Sequence, residues 1–274
     1  MNRSTGSVLD GIRLYLRYAS TSVSAQRQYK TSFLLQTVGN FAGTIMDFIG
    51  TWALFTRFEH FGSWGLAEVA ILYGLVNAAF ASAQSVSYGF ATLGSELLVT
   101  GHFDRLLVRP RSVILQLFGQ EIRLKQLGRL CQGLVVLFGG LITGGYLSVP
   151  NVLICLWCIA GGTMLFIGLF VLQATLSFWT VHSLEIMNVF THGGAAIAQY
   201  PLSIFSDWLR WFITYLIPFA AITYFPALVI TGRVSVSSSD GLVYLSAPIA
   251  GLIFFLLALV MFKIGMRRYS SAGG

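Results

Sequence analysis

The chain has 274 residues, 55% of them hydrophobic and only 10% charged, with a mean hydropathy of +0.75. A soluble domain carries about 25% charged residues, so a solvent-exposed globule is excluded, and the apolar runs are too many and too long for one buried core. The net charge of +7 does not call for nucleic acid, because the basic residues fall between apolar runs, where they set membrane orientation.

Residues 1–32 read as a cytoplasmic N-terminus. No cleavable signal peptide is expected, since Arg13, Arg17, Arg27 and Lys30 punctuate the start and no small-residue cleavage site follows a short apolar core. Within it GIRLYLRYASTSVSAQRQYK (11–30) mixes Ile12, Leu14, Tyr15, Leu16 and Tyr18 with those cations. The mixture predicts an interfacial helix on the cytoplasmic leaflet, with a loosely ordered basic tail as the alternative.

The first span is expected over residues 33–55, long enough at about 1.5 Å per residue to cross a hydrocarbon core of about 30 Å. It carries Asn40 and Asp47, the latter the only acidic residue deep in any expected span. A carboxylate there is costly and should face a cavity or a partner helix rather than lipid. Whether it acts in function or only fixes helix packing stays open. An external loop then begins at Arg57, Glu59 and His60. The second span, 68–93, has Asn77, Ser82, Gln84 and Ser85 on its later half. These line a path or hydrogen-bond to neighbouring helices, and the small residues around Gly74 and Ala78 permit close helix contact.

Residues 96–129 cannot lie at bilayer depth, because they carry Arg105, Arg109, Arg111, Arg123, Lys125 and Arg129. Their positive excess places them inside the cell. Phe103, Leu106 and Leu107 form an apolar face beside Asp104, Arg105 and Arg109, and Pro110 ends that helix. VILQLFGQEIRLKQL (113–127) is again amphipathic and suits a membrane surface or a protein partner.

The third and fourth spans are expected at 130–146 and 152–177, joined by the uncharged turn LSVPN, with Trp179 at the cytoplasmic border. CLWC (155–158) has CxxC spacing without a second pair or a His, so buried thiols are expected. Residues 180–210 are broken by Gly193, Gly194 and Pro201 and read as an elbow or interfacial helix; His182 and Glu185 form only a weak metal or acid–base signal. The fifth span is expected at 211–229, containing Pro218 and Pro226, which free backbone carbonyls and kink a membrane helix. After the external loop GRVSVSSSDG the sixth span covers 242–262, and a basic tail, 263–274, ends inside. All but Arg57 and Arg233 of the 17 Lys and Arg residues then fall on the cytoplasmic side. The expected fold class is thus an all-α polytopic membrane protein of six transmembrane helices, both termini cytoplasmic.

No GxxxxGK[ST], GxSxG or HExxH motif and no paired intramembrane carboxylates occur. Transport, scaffolding and assembly assistance remain. Asn40, Asp47, Asn77, Gln84, Pro218 and Pro226 are the candidate translocation-path residues.

GHFDRLLVRP (101–110), followed by QLFGQE, resembles the corresponding segment of the ABC-2 family of bacterial ABC transporter permeases. QYPLSIFSDWLRWFITYLIPFAAITYFPA (199–227) is similar to a second signature of a six-span branch of that family. The resemblance covers nearly the whole chain. It implies an exporter permease fold and a subunit of the bacterial inner membrane that is not itself an enzyme and binds no cofactor. Two separate ABC ATP-binding subunits would hold ATP and Mg, and a second homologous permease or a second copy would complete the path. It further implies that the segment between spans two and three couples to the ATPase. Phe103, Asp104, Arg105, Leu106 and Leu107 are then assigned to that contact, Arg109 and Pro110 to shaping the turn, and Glu121 and Arg123 to the same surface. An ATP-independent secondary transporter or channel and a non-transporting scaffold are the alternatives. The substrate is open, with an amphipathic or cationic small molecule suiting Asp47.

Overall fold

The computed structural model describes residues 8–28, 30–57, 63–180 and 187–269. Among these the chain is helical, with no strand. His60, Glu59, His182 and Glu185 lie outside the described residues.

Two helices open the chain, α1 (Val8–Gln28) and α2 (Lys30–Arg57). α3 (Leu66–Val86) is the central strut, buried on nearly every side. It ends where the buried Ser87 hydroxyl donates to the Ala83 carbonyl at 2.6 Å, and the chain turns into the short α4 (Tyr88–Ala91). The second apolar helix is therefore shorter than the 68–93 expected. α5 (His102–Val108) and α6 (Val113–Gly119) follow at one end of the bundle.

α7 (Leu127–Thr143) packs along α3 at glycines. A Cβ on Gly133 would lie 2.9 Å from the Ala78 nitrogen, and one on Gly140 2.7 Å from the Ala67 carbonyl oxygen. The two glycines sit two turns apart on one stripe and let the backbones approach, which in lipid replaces hydrophobic collapse as the source of helix affinity. α8 (Val149–Leu176) starts with Pro150 in its first turn, and Asn151 N–H donates to the Ser148 hydroxyl at 3.3 Å.

Beyond α8, residues 187–193 lead into α9 (Gly194–Ala198). This stretch runs along the bundle: the His192 ring lies 5.1 Å from Phe80 on α3, and the Tyr200 hydroxyl reaches Thr51 of α2 at 3.3 Å. Over 187–200 this differs from the elbow or interfacial helix expected for 180–210, of which 181–186 lie outside the described residues. Gly193 and Gly194 do not interrupt it; Gly194 instead lets the Phe219 ring press against the backbone. α10 (Asp207–Trp211), α11 (Phe219–Ile222) and α12 (Tyr224–Ile230) replace the single helix expected at 211–229. Ile217 is extended (φ −122°, ψ 98°) and Pro218 has no N–H to continue a ladder, so the two arms meet at 71°. Tyr200 packs with Trp64 and Tyr224, Phe219 packs lower against Phe166, and Asn151 donates to the Ile230 carbonyl. Residues 201–230 thus leave one end of the bundle, dip to the level of Phe219 and return to the same end.

α13 (Ser239–Ser246) and α14 (Ile249–Met266) close the chain, with Gly251 against the Gly161 backbone of α8. Among the described residues four helices are long and apolar enough to cross a bilayer: Leu66–Val86, Leu124–Thr143, Val149–Leu176 and Ser239–Met266. The bent pair would make a fifth if it counted as one span. α2 has the length but is more polar, carrying Gln36, Asn40 and Asp47. Cys155 and Cys158 are buried between α8 and Leu137 and Leu141 of α7, as expected of structural thiols.

Candidate functional site

Two regions gather the residues singled out by sequence. The first is the element from Gly101 to Lys125. Gly101 takes a left-handed turn (φ 67°) that a side chain would strain, and α5 begins there. Phe103 is fully buried, its ring 5.4 Å from Phe178 and 5.0 Å from Tyr269. It is an anchor holding α5 to the bundle and leaves no surface for a partner, contrary to the contact role expected of it. Leu106 is half-buried against the same core. Asp104 is partly buried, while Arg105, Leu107, Arg109 and Pro110 are exposed. Arg109 is extended (ψ 136°), as a residue before proline must be.

The tip is Val108, 85% exposed, which the sequence reading passed over. Its neighbours in sequence are the exposed Leu107 and the exposed cations Arg105, Arg109 and Arg111, so the tip is a small apolar knob among basic residues. Gln116 closes the loop behind it, donating to the carbonyls of Leu106 (3.1 Å) and Arg111 (3.2 Å). Glu121 and Arg123 sit apart from that tip. Arg123 pairs with Glu121 at 3.3 Å, and its guanidinium stacks 3.2 Å from the Tyr88 ring centre. Burial raises the Tyr88 phenol above its ordinary pKa even though Arg123 pulls it down.

α1 docks on this element. The Ile122 N–H donates to the Ser22 hydroxyl at 3.0 Å, the Leu124 N–H donates to the Gln26 side-chain oxygen at 3.1 Å, and Tyr18 lies on Gly119. The N-terminal helix therefore has a protein contact as well as any interfacial one.

The second region is a cavity of about 720 Å³ between α2, α7 and residues 192–200, lined by Asp47, Thr51, Arg129, His192, Gln199 and Tyr200. Asp47 and His192 are exposed on its open side. Arg129 Nε donates to the Asn77 side-chain oxygen at 2.9 Å, and its guanidinium lies 4.1 Å from the Phe80 ring centre. Of the expected path residues, Asp47 lines this cavity and Asn77 reaches it through Arg129. Asn40 does not; its amide donates to the Lys125 carbonyl at 2.9 Å, tying α2 to the start of α7. Pro218 and Pro226 belong to the bent pair, and Gln84 lies partly buried near the other end of α3.

Sequence reading placed Arg129 in the basic loop, whereas it is the third residue of α7 and faces inward. The signal was present: Arg129 shares a helical stripe with Gly133 and Gly140 at four- and seven-residue spacing, the face that packs on α3. His192 was hidden by the reading of its segment as an elbow.

A family model described as ABC-2 family transporter protein matches residues 41–273. No curated protein and no solved structure matches the chain.

Proposed function

The chain belongs to the ABC-2 transporter family, and from that premise we propose that it is the permease subunit of an ATP-driven exporter in the bacterial inner membrane. In that reading α2, α3, α7, α8, the residues leading into α9 and the α13–α14 pair would be the six spans, and 201–230 would enter and leave from outside, which moves Arg210 from the cytoplasmic side expected for it to the outer one. The α5–α6 end then faces the cytoplasm with both termini. Membership supports a membrane component whose energy would arrive from separate ATP-binding subunits.

The observation that carries the reading is the exposed tip at Val108. An apolar knob with three cations, on an element bolted to the core by Phe103, is shaped to sit in a groove of a soluble partner and to pass its movement on. ATP binding would draw two such partners together, α5 and α6 would follow, and the anchor at Phe103 would transmit the displacement to α8 and α14. The membrane halves would then exchange which side of the path is open, each ligand shifting the states by its differential affinity.

Val108→Asp tests this. It should leave the thermal unfolding of the purified chain unchanged, because the side chain touches little. It should lower the affinity of the co-expressed ATP-binding subunit by about tenfold or more, since a desolvated charge at an interface centre costs about 2 kcal/mol. Undiminished capture of the ATPase would place the coupling contact elsewhere. A chain that transports without any ATPase would be a secondary transporter or channel, and one that binds it without stimulated ATP hydrolysis a scaffold.

A further inference from the structure

The cavity between α2, α7 and residues 192–200 is lined by one carboxylate and one guanidinium that feel each other's charge without forming a direct ion pair among the described residues. The Asp47 carboxylate on α2 makes no direct ion pair among the described residues and acts on Arg129 and Tyr73 only through space. Arg129 on α7 faces the same space but is held back by Asn77 and by the Phe80 ring. Its Nε–H is given to Asn77, and the residue lines the cavity wall. Asp47 sits on the turn below Thr51, which meets Tyr200 at the upper end of the cavity, whereas Arg129 lies against the Asn77–Phe80 level of α3. The two charges therefore stand on different helices, with a volume of about 720 Å³ between them and their surroundings.

Charged groups at this depth are costly unless compensated. A ligand with one charge would compensate one wall and leave the other unanswered. A ligand with both would satisfy both and would cross as a neutral species. We propose that this cavity binds zwitterionic solutes, the ligand's ammonium at Asp47 and its carboxylate or phosphate at Arg129, with Gln199 and Tyr200 offering neutral hydrogen bonds. The proposal rests on the permease reading for its role in transport, but the binding itself does not need an ATPase.

The test uses the full chain in lipid nanodiscs and equilibrium dialysis. The probes are ω-amino acids from 3-aminopropanoate to 6-aminohexanoate, each against the alkanoate and the alkylamine of equal length. At least one amino acid should bind about tenfold tighter than both of its single-charge analogues. Asp47→Asn should remove that preference while leaving alkanoate binding in place; Arg129→Gln should remove it while leaving alkylamine binding. Asp47 is on an exposed face, so its variant folds and decides the matter alone should the Arg129 variant not fold. Equal binding of the single-charge analogues, no binding across the series, or a preference that survives Asp47→Asn overturns the proposal. Binding failure with ATPase capture intact rejects the zwitterion site alone; loss of ATPase capture with binding intact rejects the permease reading alone.

Discussion

At the residue scale, Arg233 shows how context sets the weight of an ion pair. It meets Glu68 with contacts of 2.8 and 2.9 Å, donates to the Ser63 hydroxyl at 2.8 Å, and lies 4.5 Å from the Trp64 ring centre. Glu68 also accepts from the Gly65 N–H at 2.9 Å, so its carboxylate caps α3 while it holds the loop after α12. Only 11% of the Glu68 side chain is exposed. Arg233→Gln should therefore lower stability by about 1–3 kcal/mol, read as a fall in thermal midpoint in detergent. Arg210, paired at 3.3 Å with an Asp207 side chain that is 96% exposed, is the control. Arg210→Gln should cost about 0–1 kcal/mol, and equal losses would show that burial is not what matters. Sequence reading gave Arg233 only a place in an external loop, because its partner lies 165 positions away.

At the scale of elements, close approach and proline account for most of what the bundle does. α3 and α7 meet at Gly74, Gly133 and Gly140, and α8 meets α14 at Gly161 and Gly251. Gly133→Leu should push the helices apart and cost about 1–3 kcal/mol, while Gly139→Ala, with nothing within 4 Å of the new methyl, should be neutral or raise the midpoint slightly. Thermal unfolding of the two variants checks the difference; indistinguishable midpoints would mean the α3–α7 seam does not bear stability. The apolar periods made α3, α7, α8 and α14 legible. The stretch at 187–200 was not, since Gly193, Gly194 and Pro201 look like breaks in a string of letters. In three dimensions one glycine seats a phenylalanine ring and the proline falls only where the helix has already reached the bundle's end.

At the scale of the molecule, several helices present apolar, exposed faces, and two of these differ in kind. α14 presents Ile253, Leu256, Leu257 and Val260, while α2 presents Leu35, Val38, Met46 and Trp52 beside Asp47. The first suits lipid throughout. The second carries a carboxylate that lipid does not compensate, so it suits a water-filled path bounded by another permease. Native mass spectrometry of the co-expressed complex should accordingly find two permease chains and two ATP-binding subunits, and a single permease chain would reject the shared path.

Composition and hydropathy alone determined that this is a multi-pass helical membrane chain, because apolar length and scarcity of charge are properties of the string. The signatures around Gly101 and Tyr200 pointed to the ABC-2 family for a related reason: a local turn is encoded locally. Tertiary structure decided which side of a helix a residue faces. It moved Phe103 from a docking surface to an anchor, left Val108 at the tip, turned Arg129 from a loop cation into a cavity wall opposite Asp47, and folded 201–230 back on itself. Each of these depends on contacts between helices far apart in sequence, and one chain's order of residues does not state which neighbours those are.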